Sequence, residues 1–294
     1  MKKLIFSIMA AVACVMSACS NEESLDPSVN PSDVQAPVTV RVADFSVEQG
    51  ALTRATSVGD YTGVKFLTLA FYKSDGTEVY KVTHEKENMA EGQTFGEFST
   101  SLAMGSYTMV VIGNGGTNAI TLSSATSATY GEGRVRETFI ATQDVNITST
   151  SAMNLSATLN RIVTRLGLAS TDNRPANVTK IRMTFSAGGK SFNPTTGLAI
   201  GNDGLTNTVE PTSAVGAATS VASQLFLASD EQTMNVTIET LDAGDNVVFS
   251  KTVNDVPFKR NRMTVLTGAL YSASATVGSF QVNSDWLGDY NMNF

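Results

Sequence analysis

From Val38 onward apolar residues recur at every second position, and almost nowhere at helical spacing. That pattern constrains the fold more than any other feature of the chain. Val38, Val40 and Val42 alternate with Thr39 and Arg41, so a strand here buries the valines on one face and wets the other. Leu67, Leu69 and Phe71 repeat the pattern, Ser74-Asp75-Gly76 supplies a turn, and Val79 and Val82 start a return strand. Asp-Gly between alternating runs signals a hairpin because Gly takes positive φ without steric cost. Phe95 and Phe98, Tyr107 to Val111, Val145 and Ile147, and Leu155 and Leu159 extend the series. In the second half it resumes at Ile181, Met183 and Phe185, at Leu225 and Leu227, and at Met234, Val236 and Ile238. Val247 to Phe249, Met263 and Val265, and finally Phe280, Val282 and Trp286 close the chain. Only Asn160 to Leu168 suits a short helix as well as a strand. The spacing predicts an all-β protein. Many short strands with turns between them, in 294 residues, predict two stacked sandwiches, 38–158 and 159–294, with a boundary near Thr158.

Ahead of the strands, basic Lys2 and Lys3 precede an apolar stretch from Leu4 to Met16 and then small Ser17 and Ala18. Secretory signals have this order, and the stretch is too short to span a bilayer. Met16-Ser17-Ala18-Cys19 matches the lipobox of bacterial lipoproteins, so residues 1–18 are expected to be removed and Cys19 acylated, its thiol forming the thioether to the lipid. The alternative is an ordinary signal cut after Ala18. Cys14 lies in the removed segment, so the mature chain is expected to carry no disulfide and no thiol metal cluster. Ser20-Asn21-Glu22-Glu23 resembles the surface-export signal of Bacteroidetes lipoproteins, or is simply a solvated linker. Residues 19–37, rich in Pro, Ser and Asn without periodicity, read as a flexible tether.

Composition narrows the function. A net charge of -7 argues against phosphate-backbone binding, and 42% hydrophobic residues suffice for two cores. Catalysis finds little to work with. The single histidine, His84, stands among Thr83, Glu85, Lys86 and Glu87 at a strand end, where a solvated surface role is expected. Asp242-Ala243-Gly244-Asp245-Asn246 lacks the spacing and closing Glu of a calcium loop and reads as a hairpin turn. Gly113-Asn114-Gly115-Gly116 lacks the Lys and helix of a phosphate loop. The adjacent carboxylates Glu22-Glu23 and Asp230-Glu231 would point to opposite sides of a strand. No catalytic residue, metal site or cofactor is expected.

The informative constellation surrounds Arg54. The strand Val38 to Phe45 precedes a polar, flexible connection containing Gly50, in which Leu52-Thr53-Arg54-Ala55 offers a trypsin-like cut. Cleavage between Arg54 and Ala55 would detach the anchor and that strand together. The lipobox, this Arg-Ala site, the segment from Gly105 to Asn114 and the segment from Asp255 to Gly268 together resemble the fimbrillins of Bacteroidales, the type V pilins. The resemblance implies two tandem transthyretin-like β-sandwich domains, a lipoprotein precursor delivered to the outer membrane, and an Arg-specific protease that removes the first strand. It further implies that the vacated groove accepts a neighbour's C-terminal strand. Carried to this sequence, the displaced strand is that of Val38, Val40 and Val42, and the donor that of Phe280, Val282 and Trp286, which lie at even spacing. Each buried valine is worth about 1.5–3 kcal/mol, so an incoming strand of similar side chains could replace the lost burial. The expected function is a structural fimbrial subunit that polymerises with other subunits and supports adhesion. The alternatives are an anchor subunit retained uncut by its lipid, and a glycan-binding surface lipoprotein. One Trp and 7% aromatic residues give the last few stacking platforms.

Overall fold

A computed structural model describes residues 34–49, 52–58, 61–131, 133–272 and 281–283. Every helix or strand among them is a strand. The first ten are β1 (Gln35–Gln49), β2 (Leu52–Ser57), β3 (Phe66–Lys73), β4 (Glu78–Glu85), β5 (Glu97–Ala103), β6 (Gly105–Asn114), β7 (Thr121–Ser124), β8 (Ser127–Thr129), β9 (Thr138–Ile147) and β10 (Met153–Arg161). The rest are β11 (Thr164–Asn173), β12 (Lys180–Phe185), β13 (Ser191–Phe192), β14 (Leu205–Val209), β15 (Ala218–Leu225), β16 (Glu231–Leu241), β17 (Val247–Lys259), β18 (Met263–Gly268) and β19 (Gln281–Asn283).

The first sheet runs β2-β1-β10-β9-β6-β3-β4, with β5 also on β1. Its weak seam is between β10 and β9, which share only Asn160↔Ile140 and Arg161↔Phe139. At that corner the sheet folds over on itself. Val38, Val40, Val42, Phe45 and Leu159 from one layer pack against Leu67, Leu69, Phe71, Met109 and Phe139 from the other. The turn between β3 and β4 is the one the sequence predicts: Gly76 has φ 85° and the Asp75 carboxylate accepts the Thr77 N–H at 2.8 Å.

The second sandwich stacks β15-β11-β18-β19 on β14-β12-β16-β17. Leu166, Leu168 and Leu266 meet Ile181, Phe185 and Val236 in its core. Between the two sandwiches lies a third apolar cluster. Tyr72, Val110 and Ile112, on the far face of β3 and β6, pack with Ile120, Tyr130, Phe192 and Phe226. The small sheet β13-β8-β7 covers it, drawing strands from both sides of the sequence boundary. Because β3 and β6 are buried on both faces, their sequence is a nearly continuous apolar run rather than a clean alternation.

Several details depart from the sequence reading. Asn160 to Leu168 contains no helix: it ends β10 and begins β11. The β10 strand passes Thr158, and the sheet changes at Ile162-Val163. The expected flexible connection after β1 is instead the paired strand β2, whose register Gln49↔Leu52 leaves only Gly50 and Ala51 between the partners. So short a link favours hairpin pairing over an open loop.

His84 is not a solvated surface residue either. It is 9% exposed, its ring 4.2 Å from that of Phe98 and nearly parallel to it, because the last inward position of β4 faces β5 across the sandwich. Burial pushes its pKa below the ordinary 6.5. The fold therefore prefers the neutral imidazole. Its contribution is fully present above pH 6.5 and is lost as pH falls through that value toward the lowered one. Melting temperatures measured across this window should fall with acidification, and His84→Phe should flatten that part of the dependence; an unchanged slope would exclude His84 as its source.

Candidate assembly site

The strand singled out by the sequence is central in its sheet. On one edge β1 runs parallel to β10, from Val38↔Met153 to Ser46↔Asn160. On the other it pairs antiparallel with β5 from Gln35↔Ala103 to Arg41↔Glu97, then with β2 from Asp44↔Ser57 to Gln49↔Leu52. The partner changes at a bulge between Val42 and Asp44, where the Val42 N–H donates to the Gly96 carbonyl at 2.8 Å. Alternation then decides the faces. Ala36, Val38, Val40, Val42 and Phe45 are at most 4% exposed, whereas Arg41 points outward to Glu97 at 2.5 Å. That exposed ion pair adds little stability; the burial on the opposite face holds the strand.

Phe45 anchors the far end of β1. Its ring lies 4.9 Å from Phe139 and 5.2 Å from Tyr61, centroid to centroid. Gly113 makes room for it, since a Cβ there would stand 3.0 Å from the Phe45 ring. Beside this cluster Arg161, its side chain 2% exposed, forms an ion pair with Glu137 Oε1 at 2.5 Å and donates to the Tyr61 hydroxyl at 3.2 Å. Arg161 also sits over the Phe139 ring at 5.3 Å. Burial and the Glu137 carboxylate push the Tyr61 phenol pKa up, so the hydroxyl stays protonated. None of these three polar residues was singled out from the sequence. The available signal was Arg161 itself, which continues the inward register of Ala157 and Leu159 with a charge.

Arg54 and Ala55 lie on β2, opposite Val47 and Ser46, on the outermost strand of that end of the sheet. Val282 lies on β19, opposite Leu266, and so extends the edge of its own second sandwich. No sheet among the described residues joins β19 to β1. Cys19, Phe280 and Trp286 fall outside the described residues. Among the described residues no group of His, Cys, Asp and Glu is placed to hold a metal ion.

A family model, described as a family of unknown function (DUF6562), matches residues 116–293, more than half of the chain. The chain belongs to DUF6562. In this DUF6562 protein the matched residues begin after β6, so β1, β2 and Arg54 lie outside them. The fold is shared with a candidate adhesin from Bacteroides ovatus, at TM-score 0.51 and 11% identity over 84% of this chain and 96% of that one. It is shared too with a candidate polysaccharide-binding protein (DUF1812) from Bacteroides thetaiotaomicron, at TM-score 0.50 and 13% identity over 85% and 96%. The fimbrial anchor protein Mfa2 from Porphyromonas gingivalis aligns at TM-score 0.49 and 11% identity, over 85% of this chain and 98% of its own. No curated protein matches this DUF6562 chain in sequence.

Proposed function

We propose that this DUF6562 protein is a fimbrial subunit of the cell surface that supports adhesion, has no catalytic activity, and assembles by replacing its own first strand with one from another subunit. The observation that carries the reading is the placement of β1. It is paired along both edges, its inward side chains fill the core, and it joins the body of the domain only through the segment that holds Arg54. Cleavage at Arg54-Ala55 by an Arg-specific protease leaves β1 held by noncovalent contacts alone. Its departure would leave β10 and β5 each with a row of unpaired backbone groups beside an apolar trough, a template for β-augmentation. The segment of Phe280, Val282 and Trp286 is the proposed donor, and acylated Cys19 the attachment to the outer membrane before processing. Fold likeness to a candidate Bacteroides adhesin supports the surface role.

Treatment of the purified precursor with an Arg-specific protease is expected to give a new N-terminus at Ala55 and a ladder of oligomers, while Arg54→Gln remains uncut and monomeric. Complete cleavage without oligomers would overturn strand exchange. Because Arg54 is paired in β2, the hairpin must open before a protease can take the bond in its cleft, so cleavage should run slower than in a free peptide of the same residues.

The same pairing favours a second reading, that of an anchor subunit kept intact by its lipid. Mass analysis of the protein from its native surface separates the two. A lipidated Cys19 terminus means the anchor, and an Ala55 terminus means the polymerising subunit.

A further inference from the structure

Between the two sandwiches lies a cavity of about 680 Å³ whose charge is opposite to that of the protein as a whole. Its wall carries four cations, Lys65, Arg134, Arg136 and Arg165, against two carboxylates. One of those, Glu137, is already engaged by buried Arg161, and the other, Glu210, is exposed. Lys65 makes a loose pair with exposed Glu87 at 3.6 Å. Arg165 is 6% exposed.

Arg134 and Arg136 set the character of the site. Val135 between them is 2% exposed and packs in the apolar cluster between the sandwiches, so extended-chain alternation turns both arginines the other way, into the cavity. Several other cations are paired with carboxylates: Arg182 with Glu239, Arg260 with Asp230, Lys259 with Glu231. Among the described residues neither Arg134 nor Arg136 has such a partner. Burial, and then the neighbouring Arg136 charge, lower the Arg134 pKa to about 10. Holding two guanidinium groups together, one of them half-buried, costs free energy that an anion between them would recover.

The backbone at Arg136 and Glu137 is also fixed in place. The Arg136 carbonyl accepts the Thr138 hydroxyl at 2.9 Å and the Tyr130 hydroxyl at 3.3 Å, and the Glu137 carbonyl accepts the Gly115 N–H at 2.9 Å. A site held rigid before its ligand arrives loses less entropy on binding. The remaining wall offers Thr117, Thr212, Ser220 and Gln224, hydroxyl and amide groups that match a polyhydroxylated ligand better than a peptide or a lipid. The volume is in the range of small-ligand sites.

We propose that this cavity binds an acidic saccharide, its carboxylate or sulfate held between Arg134 and Arg136 and its hydroxyls by the Thr, Ser and Gln side chains. Planar guanidinium donors suit both anions. Recognition through charge needs no aromatic platform.

Calorimetric titration of the full chain at roughly 0.15 M salt, where weak surface attraction is screened, tests the assignment. The probes are a hyaluronan hexasaccharide bearing carboxylates, a heparin hexasaccharide bearing sulfates as well, neutral maltohexaose, and hexaglutamate. At least one acidic saccharide should bind saturably, and the two together tell which anion is preferred. The variant Arg134→Gln/Arg136→Gln should weaken that binding by about tenfold or more, the worth of a charged hydrogen bond. Should the double variant lose its fold, Arg136→Glu at its exposed position serves instead. Undiminished binding in the variants, equal binding of maltohexaose or hexaglutamate, or no binding of either acidic saccharide would overturn the proposal.

Discussion

Truncating Phe45 to alanine is expected to destabilise the first sandwich by about 3–5 kcal/mol, the usual cost of deleting a buried aromatic ring. The ring is fully buried, touches Tyr61 and Phe139, and fills a niche that Gly113 leaves open. Little nearby can collapse into the space, because Gly113 has no side chain to move. Urea unfolding followed by tyrosine fluorescence should show the loss as a lower midpoint with little change in slope. The variant bears on function as well. Phe45 leaves with β1 if the bond after Arg54 is cut, so Phe45→Ala should hasten release of β1 from the cleaved protein, measured by its appearance in the low-mass fraction. A wild-type release rate would mean that the valines alone set the barrier.

Glu137→Gln should be nearly as damaging, at about 3 kcal/mol. The Arg161 side chain is 2% exposed and Glu137 17%, so the substitution leaves a guanidinium buried beside a neutral amide. Removing one partner of such a pair commonly costs about 3–5 kcal/mol, and the lower end applies because Glu137 keeps some water. Arg161→Met with Glu137→Leu should recover most of the loss, since an apolar pair asks for no desolvation of charge. A urea midpoint for Glu137→Gln equal to the wild type would show that the pair contributes nothing net.

What the sequence disclosed depended on how each strand is wetted. Strands with one dry and one wet face, such as β1, β12 and β16, announce themselves by alternation, and their inward residues are the ones found in the cores. Where a strand is dry on both faces the alternation disappears. Leu67, Leu69 and Phe71 were legible in β3, but nothing marked Ala70 and Tyr72 as the floor of a second core. The small sheet β13-β8-β7 was invisible for another reason: two and three residues are too short to show any period. His84 looked solvated because its sequence neighbours are charged, whereas its true neighbour, Phe98, is distant in sequence. Arg134-Val135-Arg136 carried a readable signal, an apolar residue flanked by like charges, but the surface that completes the cavity comes from the other sandwich.

The cluster between the sandwiches has a mechanical corollary. Ser191 and Phe192 are laced to Thr129 and Ala128, the Ser191 and Thr129 hydroxyls are 2.9 Å apart, and the Tyr130 and Phe226 rings stack with centroids 6.1 Å apart. Tension drawn along the molecule from one end to the other cannot bend it at a slack hinge, because this clasp ties the halves together. Single-molecule pulling should therefore meet one unit that yields abruptly, rather than two beads that part at low force.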